Sequence, residues 1–159
     1  MRLGDHFQQI KKKYHNTFFS GICFDHRKIK KNYIFFAIKG NNLDGNNFIP
    51  SVIKKGCKII VTEKNFDEWK NGVLFIKTKN IRKLLAQISF SIFKKKPNNL
   101  IAVTGTNGKS SVSDFYYQIL NLNNKKVASI GTLGVRSNNF NLNLFNTTID
   151  PIYLGKILN

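Results

Sequence analysis

Ile101-Ala-Val-Thr-Gly-Thr-Asn-Gly-Lys-Ser-Ser111 is the stretch on which the fold turns. An apolar run suited to a buried strand, Leu100 to Val103, meets a turn carrying Gly105 and Gly108. Lys109, Ser110 and Ser111 follow, and then a segment with helical spacing, in which Val112, Phe115, Tyr116, Ile119 and Leu120 share one face over residues 112–122. Strand, glycine turn and helix in this order form a phosphate-binding loop. Small residues let backbone N–H groups approach phosphate oxygens, and the start of a helix carries partial positive charge. Lys109 is placed to reach terminal phosphates, and the Ser110 hydroxyl to join the shell of a Mg²⁺ ion. The loop is a compact variant, because Val103 stands where the general motif has its first glycine.

Working outward, strands and helices alternate on both sides of this loop, which predicts α/β architecture. Upstream, residues 1–20 are expected as a helix and a loop. Strands are expected at Ile22 to Phe24, Tyr33 to Ile38, Lys58 to Thr62 and Val73 to Lys77, and helices at Phe48 to Lys55 and Ile81 to Phe93. The unbroken apolar run Tyr33-Ile-Phe-Phe-Ala-Ile38 predicts a strand covered on both faces. Lys94-Lys-Lys-Pro-Asn-Asn99 reads equally as a domain boundary or as an exposed loop. Downstream lie a strand expected at Lys126 to Ile130, an Asn-rich stretch and a short final helix. Two expected strands are few for a nucleotide-binding sheet, so the second unit reads as truncated.

Composition narrows the function classes. The chain has 159 residues, 42% of them hydrophobic, and a formal charge of +18. That apolar fraction is globular rather than disordered. The sequence has neither an apolar run of membrane-spanning length nor a secretory signal, so a cytoplasmic protein without a membrane partner is expected. Cys23 and Cys57 are isolated and suit small core residues in a reducing compartment. The positive charge comes mostly from lysine, with only four arginines. Lysine, asparagine, isoleucine and phenylalanine share A/T-rich codons, and lysine reads bases poorly, so nucleic acid is disfavoured as a partner. A general field attracting anionic nucleotides is favoured instead.

Several pieces in order, from about Gly21 onward, resemble the Mur ligase family. Phe24-Asp-His-Arg27 and the strand after it resemble one family signature. Asp44-Gly-Asn-Asn-Phe48 resembles a turn, Thr104 to Ser110 the ATP loop, and Ser129-Ile-Gly-Thr-Leu-Gly134 and Asn146-Thr-Thr148 two later signatures. The resemblance is to the members that add the third amino acid, meso-diaminopimelate or lysine, to UDP-N-acetylmuramoyl-L-alanyl-D-glutamate in peptidoglycan synthesis. It implies a small N-terminal UDP-substrate-binding α/β domain at residues 1–97. The start of a P-loop ATP-binding domain follows at 98–159. It also implies ATP and Mg²⁺ as cofactors, a substrate carboxylate activated as an acyl phosphate, and a monomer.

By the same resemblance, Gly105, Thr106, Asn107, Gly108, Lys109, Ser110 and Ser111 cradle ATP, with Lys109 the catalytic cation and Ser110 near the metal. Phe24, His26, Asn41, Asn42 and Leu43 fall on the uridine part of the substrate, and Asn146, Thr147 and Thr148 on its muramoyl-peptide part. Three positions depart from the family pattern: His26 replaces a serine, Asn46 a histidine, and Ile149 a proline. The pocket for the incoming amino acid is expected beyond Asn159, so the chain alone is expected to be inactive. A nucleotide-sugar-binding remnant and the related D-alanyl-D-alanine-adding ligase are the alternatives.

Overall fold

The computed structural model describes residues 1–8, 10–144 and 149–159. Strands β1 (Gly21–Cys23), β2 (Tyr33–Phe36), β3 (Ile59–Thr62), β4 (Trp69–Lys70) and β5 (Val73–Lys77) form one sheet in the order β1-β2-β3-β5-β4. All neighbours are parallel except β4, which runs antiparallel to β5. Side chains alternate across the sheet. Ile22, Ile34, Phe36, Ile59, Val61 and Leu74 pack on one side with Ile81, Leu85 and Ile88 of helix α2 (Ile81–Ile92). Cys23, Phe35, Ile60, Val73 and Phe75 pack on the other side with Ile49 and Val52 of helix α1 (Ile49–Lys54). This two-sided cover explains why β2 and β3 are apolar at consecutive positions. Ile34, Phe35, Phe36, Ile60 and Val61 are completely buried, each worth about 1.5–3 kcal/mol relative to exposure.

The helix ends follow from local chemistry. Pro50 lies in the first turn of α1, and Gly56, at φ 86°, follows its last turn. At the start of α2, the Asn80 side chain accepts from the Lys83 N–H and Glu63 Oε1 accepts from the Ile81 N–H, both at 2.9 Å.

Residues 1–20 differ from expectation. They form short 3-10 turns at Leu3–Asp5 and Lys12–Tyr14, tied by an Arg2–Phe18 bridge. Leu3, Phe7, Tyr14 and Phe19 are buried in the core beside α2. Leu3, Phe7, Ile10 and Tyr14 recur at helical spacing, but Phe19 falls off that face, and tertiary burial overrides the local pattern. Strand β4 was also unforeseen. Asn71 (φ 50°) and Gly72 (φ 76°) make the two-residue turn that joins it to β5, an Asn-Gly hairpin signal.

Beyond residue 100, helix α3 (Lys109–Leu122) precedes an antiparallel sheet of β6 (Ala128–Gly131), β7 (Gly134–Ser137) and β8 (Asn141–Leu142). Two expectations are corrected here. Leu100 to Val103 joins neither sheet, because no strand among the described residues lies alongside it to complete a ladder. The apolar face of α3 is largely exposed rather than packed, with Phe115 at 62% and Ile119 at 58%, and only Leu120 of that face half-buried. Polar contacts hold α3 to the small sheet instead: Ser113 Oγ to Ser129 Oγ at 2.9 Å and Asp114 to Arg136 at 2.5 Å. Helix α4 (Pro151–Leu158), capped by Asp150, returns to the first unit, with Gly155 against the Phe93 ring and Ile152 beside the α2 core.

Gly45 is buried at the end of the β2 connection, where an added Cβ would lie 2.6 Å from the Ile38 carbonyl oxygen. Backbone cannot yield as a side-chain tip can. Gly45→Ala is expected to lower stability by about 1–3 kcal/mol, read as a fall in the urea midpoint. An unchanged midpoint would contradict this packing.

Candidate functional site

The candidate phosphate loop is built on the start of α3. Gly108 adopts the left-handed conformation (φ 75°, ψ −4°) and immediately precedes the helix, which has no side-chain N-cap. The helix begins at Lys109, three residues earlier than its apolar periodicity predicts. Lys109, Ser110 and Ser111 therefore form its first turn, where N–H groups have no intrahelical acceptor. Every residue from 101 to 112 is exposed. Free N–H groups, a helix start and solvent access are together the requirements of an anion site.

Lys109 folds back over this turn. Its ammonium donates to the carbonyls of Gly105 (2.5 Å) and Thr106 (3.1 Å). No carboxylate pairs with it among the described residues, so its positive charge is uncompensated. Ser110 Oγ lies 2.7 Å from Thr132 Oγ1, in the two-residue turn between β6 and β7. Gly134, at φ 91°, closes that turn, and an added Cβ there would meet the Leu142 carbonyl oxygen at 2.3 Å. Thr132 was not singled out from the sequence, although it sits inside the quoted Gly131-Thr-Leu-Gly134 signature. No group of three or more His, Cys, Asp or Glu is placed to hold a metal among the described residues. The hydroxyl donors present fit Mg²⁺, which keeps several waters and takes phosphate oxygens rather than an all-protein cage.

The other candidate residues follow the carboxyl ends of β1 and β2, the edge at which open α/β sheets bind ligands. Phe24 and His26 lie after β1, and Asn41, Asn42 and Leu43 after β2, where all three are exposed. The His26 ring stacks flat on Phe48, with centroids 3.8 Å apart and planes 5° apart. That contact joins the loop after β1 to the turn that follows residues 41–43. Lys55 Nζ donates to the His26 carbonyl at 3.0 Å. Asp25 accepts from the Arg27 N–H, Nε and a terminal guanidinium nitrogen at 2.9–3.0 Å. Asn146, Thr147 and Thr148 lie outside the described residues. A small apolar hollow of about 90 Å³, lined by Phe18, Tyr33, Trp69 and Leu74, opens at the amino ends of the strands instead. It contains none of the candidate residues.

Residues 19–91 match the Mur ligase family, catalytic domain, and residues 103–159 match the Mur ligase middle domain. The chain belongs to the Mur ligase family. A UDP-N-acetylmuramoyl-L-alanyl-D-glutamate--2,6-diaminopimelate ligase of Rickettsia felis is 40% identical over 151 residues, covering 90% of this chain and 27% of the relative. The same-named ligase of Clostridium tetani is 44% identical over 116 residues, covering 70% of this chain and 24% of the relative. The chain thus spans between a fifth and a third of these curated relatives. A solved structure of a ligase of that name superposes with a TM-score of 0.79 at 22% identity, covering 99% of this chain and 33% of the other. At that identity the likeness concerns the fold.

The Arg27 guanidinium holds the Asp25 carboxyl at about 2, below the ordinary 3.8. Its ionised form is therefore favoured by folding. The stability it contributes is present above pH 3.8 and lost as pH falls toward 2. A carboxyl titration followed by NMR is expected to give a midpoint near 2, moving toward 3.8 in Arg27→Ala. A midpoint that stays near 2 in that variant would contradict the assignment to Arg27.

Proposed function

We propose that this chain supplies the UDP-substrate domain and the opening of the ATP domain of an ATP-dependent ligase. The ligase adds diaminopimelate to UDP-N-acetylmuramoyl-L-alanyl-D-glutamate. The observation that carries the reading is the start of α3 behind Gly108, without a side-chain cap, and Lys109 beside it with no carboxylate partner among the described residues, in a chain 40% identical to a ligase of that name. A related ligase from Thermotoga maritima has been solved in complex with ADP.

On this reading the first-turn N–H groups of α3 and Lys109 hold the nucleotide phosphates, and Ser110 faces the Mg²⁺ ion. When bound, Mg-ATP supplies the phosphoryl group that activates the substrate carboxylate toward an amine. The protein contributes positioning and charge. Phe24, His26 and Asn41 to Leu43 take the uridine end of the substrate, and Asn146 to Thr148 take its muramoyl-peptide end. The domain division falls in the exposed Lys94 to Asn99 segment, giving units of 1–97 and 98–159. No helix among the described residues is long and apolar enough to cross a membrane, and a cytoplasmic monomer fits this reading.

Calorimetry on the chain is expected to show saturable binding of UDP-N-acetylmuramoyl-L-alanyl-D-glutamate and of Mg-ATP. Lys109→Ala is expected to weaken Mg-ATP by about 10- to 100-fold, the range for losing a hydrogen bond to a charged group, while leaving the UDP ligand unaffected. Equal Mg-ATP affinity in the variant would reject the role of Lys109. Absence of heat with the UDP ligand would reject the substrate reading.

A further inference from the structure

The loop bearing Asn41 to Leu43 is anchored by a closed ring of hydrogen bonds. Thr62, the last residue of β3, is completely buried. Its hydroxyl donates to Asn46 Oδ1 at 2.7 Å and accepts from the Lys64 N–H at 3.1 Å. The Asn46 amide nitrogen donates to Asp44 Oδ1 at 2.7 Å and to the Ala37 carbonyl at 3.4 Å. The Asn46 backbone N–H also donates to Asp44 Oδ1, at 2.9 Å. The Lys64 ammonium returns to Asp44 Oδ2 at 3.1 Å. Four residues therefore close a circuit across two strand ends, and the hydroxyl of Thr62 and the amide of Asn46 each donate and accept within it.

The circuit clamps only the base of the loop. Gly40 N–H donates to the Leu43 carbonyl at 2.8 Å, and Gly45 N–H to the Ile38 carbonyl at 2.9 Å. Above that base, Asn41, Asn42 and Leu43 are exposed, Leu43 at 65%. An exposed tip on a fixed base is preorganised for a ligand, because little loop entropy is lost on binding. The ring also requires a side chain with an acceptor and two donor hydrogens at position 46. A neutral imidazole at this position would offer only one donor and one acceptor.

We infer that Thr62 and Asn46 are positioning residues for the uridine-linked substrate, acting through the ring to pre-set the Asn41 to Leu43 tip. This rests on the substrate reading proposed above. Thr62 neither needs nor has access to the ligand, so its effect passes entirely through Asn46 and the loop.

The test compares Thr62→Val, which keeps the shape and removes the hydroxyl, with Thr62→Ser, which keeps the hydroxyl. Asn46→Ala, at a half-buried site outside the sheet, serves if the valine variant does not fold. Amide hydrogen exchange at Gly40 and Gly45 is measured on the full chain without ligand, and calorimetry follows with UDP-N-acetylmuramoyl-L-alanyl-D-glutamate. Thr62→Val and Asn46→Ala are expected to speed exchange and weaken affinity by about tenfold each, the scale of one lost buried hydrogen bond. Thr62→Ser is expected to stay within about threefold of the wild type, below half of that loss on a logarithmic scale. Wild-type exchange and affinity in Thr62→Val, or equal losses in the valine and serine variants, would overturn the ring's role. A wild-type chain that gives no heat with the ligand would instead overturn the substrate reading itself.

Discussion

The need to cover a parallel sheet on both faces governs the rest of this structure. β2, β3 and β5 carry large apolar side chains on both sides, and neither side is stable in water. One face is covered by α2 with Leu3, Phe7, Tyr14 and Phe19, and the other by α1 with Ile29 and Cys57. Parallel strands then force each connection to return to the same end of the sheet before the next strand begins. The loops after β1 and β2 consequently open on one edge, and the residues carrying polar chemistry gather there. His26 on Phe48, Asp25 with Arg27, and the Asp44–Asn46–Thr62–Lys64 ring are all products of that geometry.

The candidate phosphate loop depends on a different and more local device. Two glycines and a helix start create unpaired N–H groups without help from a core. Among the described residues its helix buries no side chain, and Ser113, Asp114 and Asn121 reach the small sheet through polar contacts. The first unit is thus held by burial and the loop helix by hydrogen bonds.

Legibility in the sequence follows the same division. Tyr33 to Ile38, Lys58 to Thr62, Val73 to Lys77 and Ile81 to Phe93 announce their elements, because buried parallel strands and amphipathic helices leave strong apolar patterns. Residues 1–20 depart from the expected helix although Leu3, Phe7, Ile10 and Tyr14 keep helical intervals, because burying them together with Phe19 in the core overrides the local pattern. Leu100 to Val103 carries a strand-like composition, yet composition cannot supply the neighbour that a ladder needs. In the candidate site, the glycine turn with Lys109 and Ser110 was visible as a motif. Thr62 was visible only as the end of a strand, because its link to Asn46 crosses between connections that the sequence does not juxtapose. The same holds for Thr132 beside Ser110.

The proposed binding edge of the sheet is tested most directly by NMR chemical-shift mapping of the labelled chain titrated with UDP-N-acetylmuramoyl-L-alanyl-D-glutamate. Shifts concentrated at residues 24–27 and 40–46, with the Trp69 indole at the opposite edge unmoved, are the expected result. Shifts centred on Phe18, Tyr33 and Trp69, with the loops after β1 and β2 silent, would place the ligand at the amino edge and contradict the assignment.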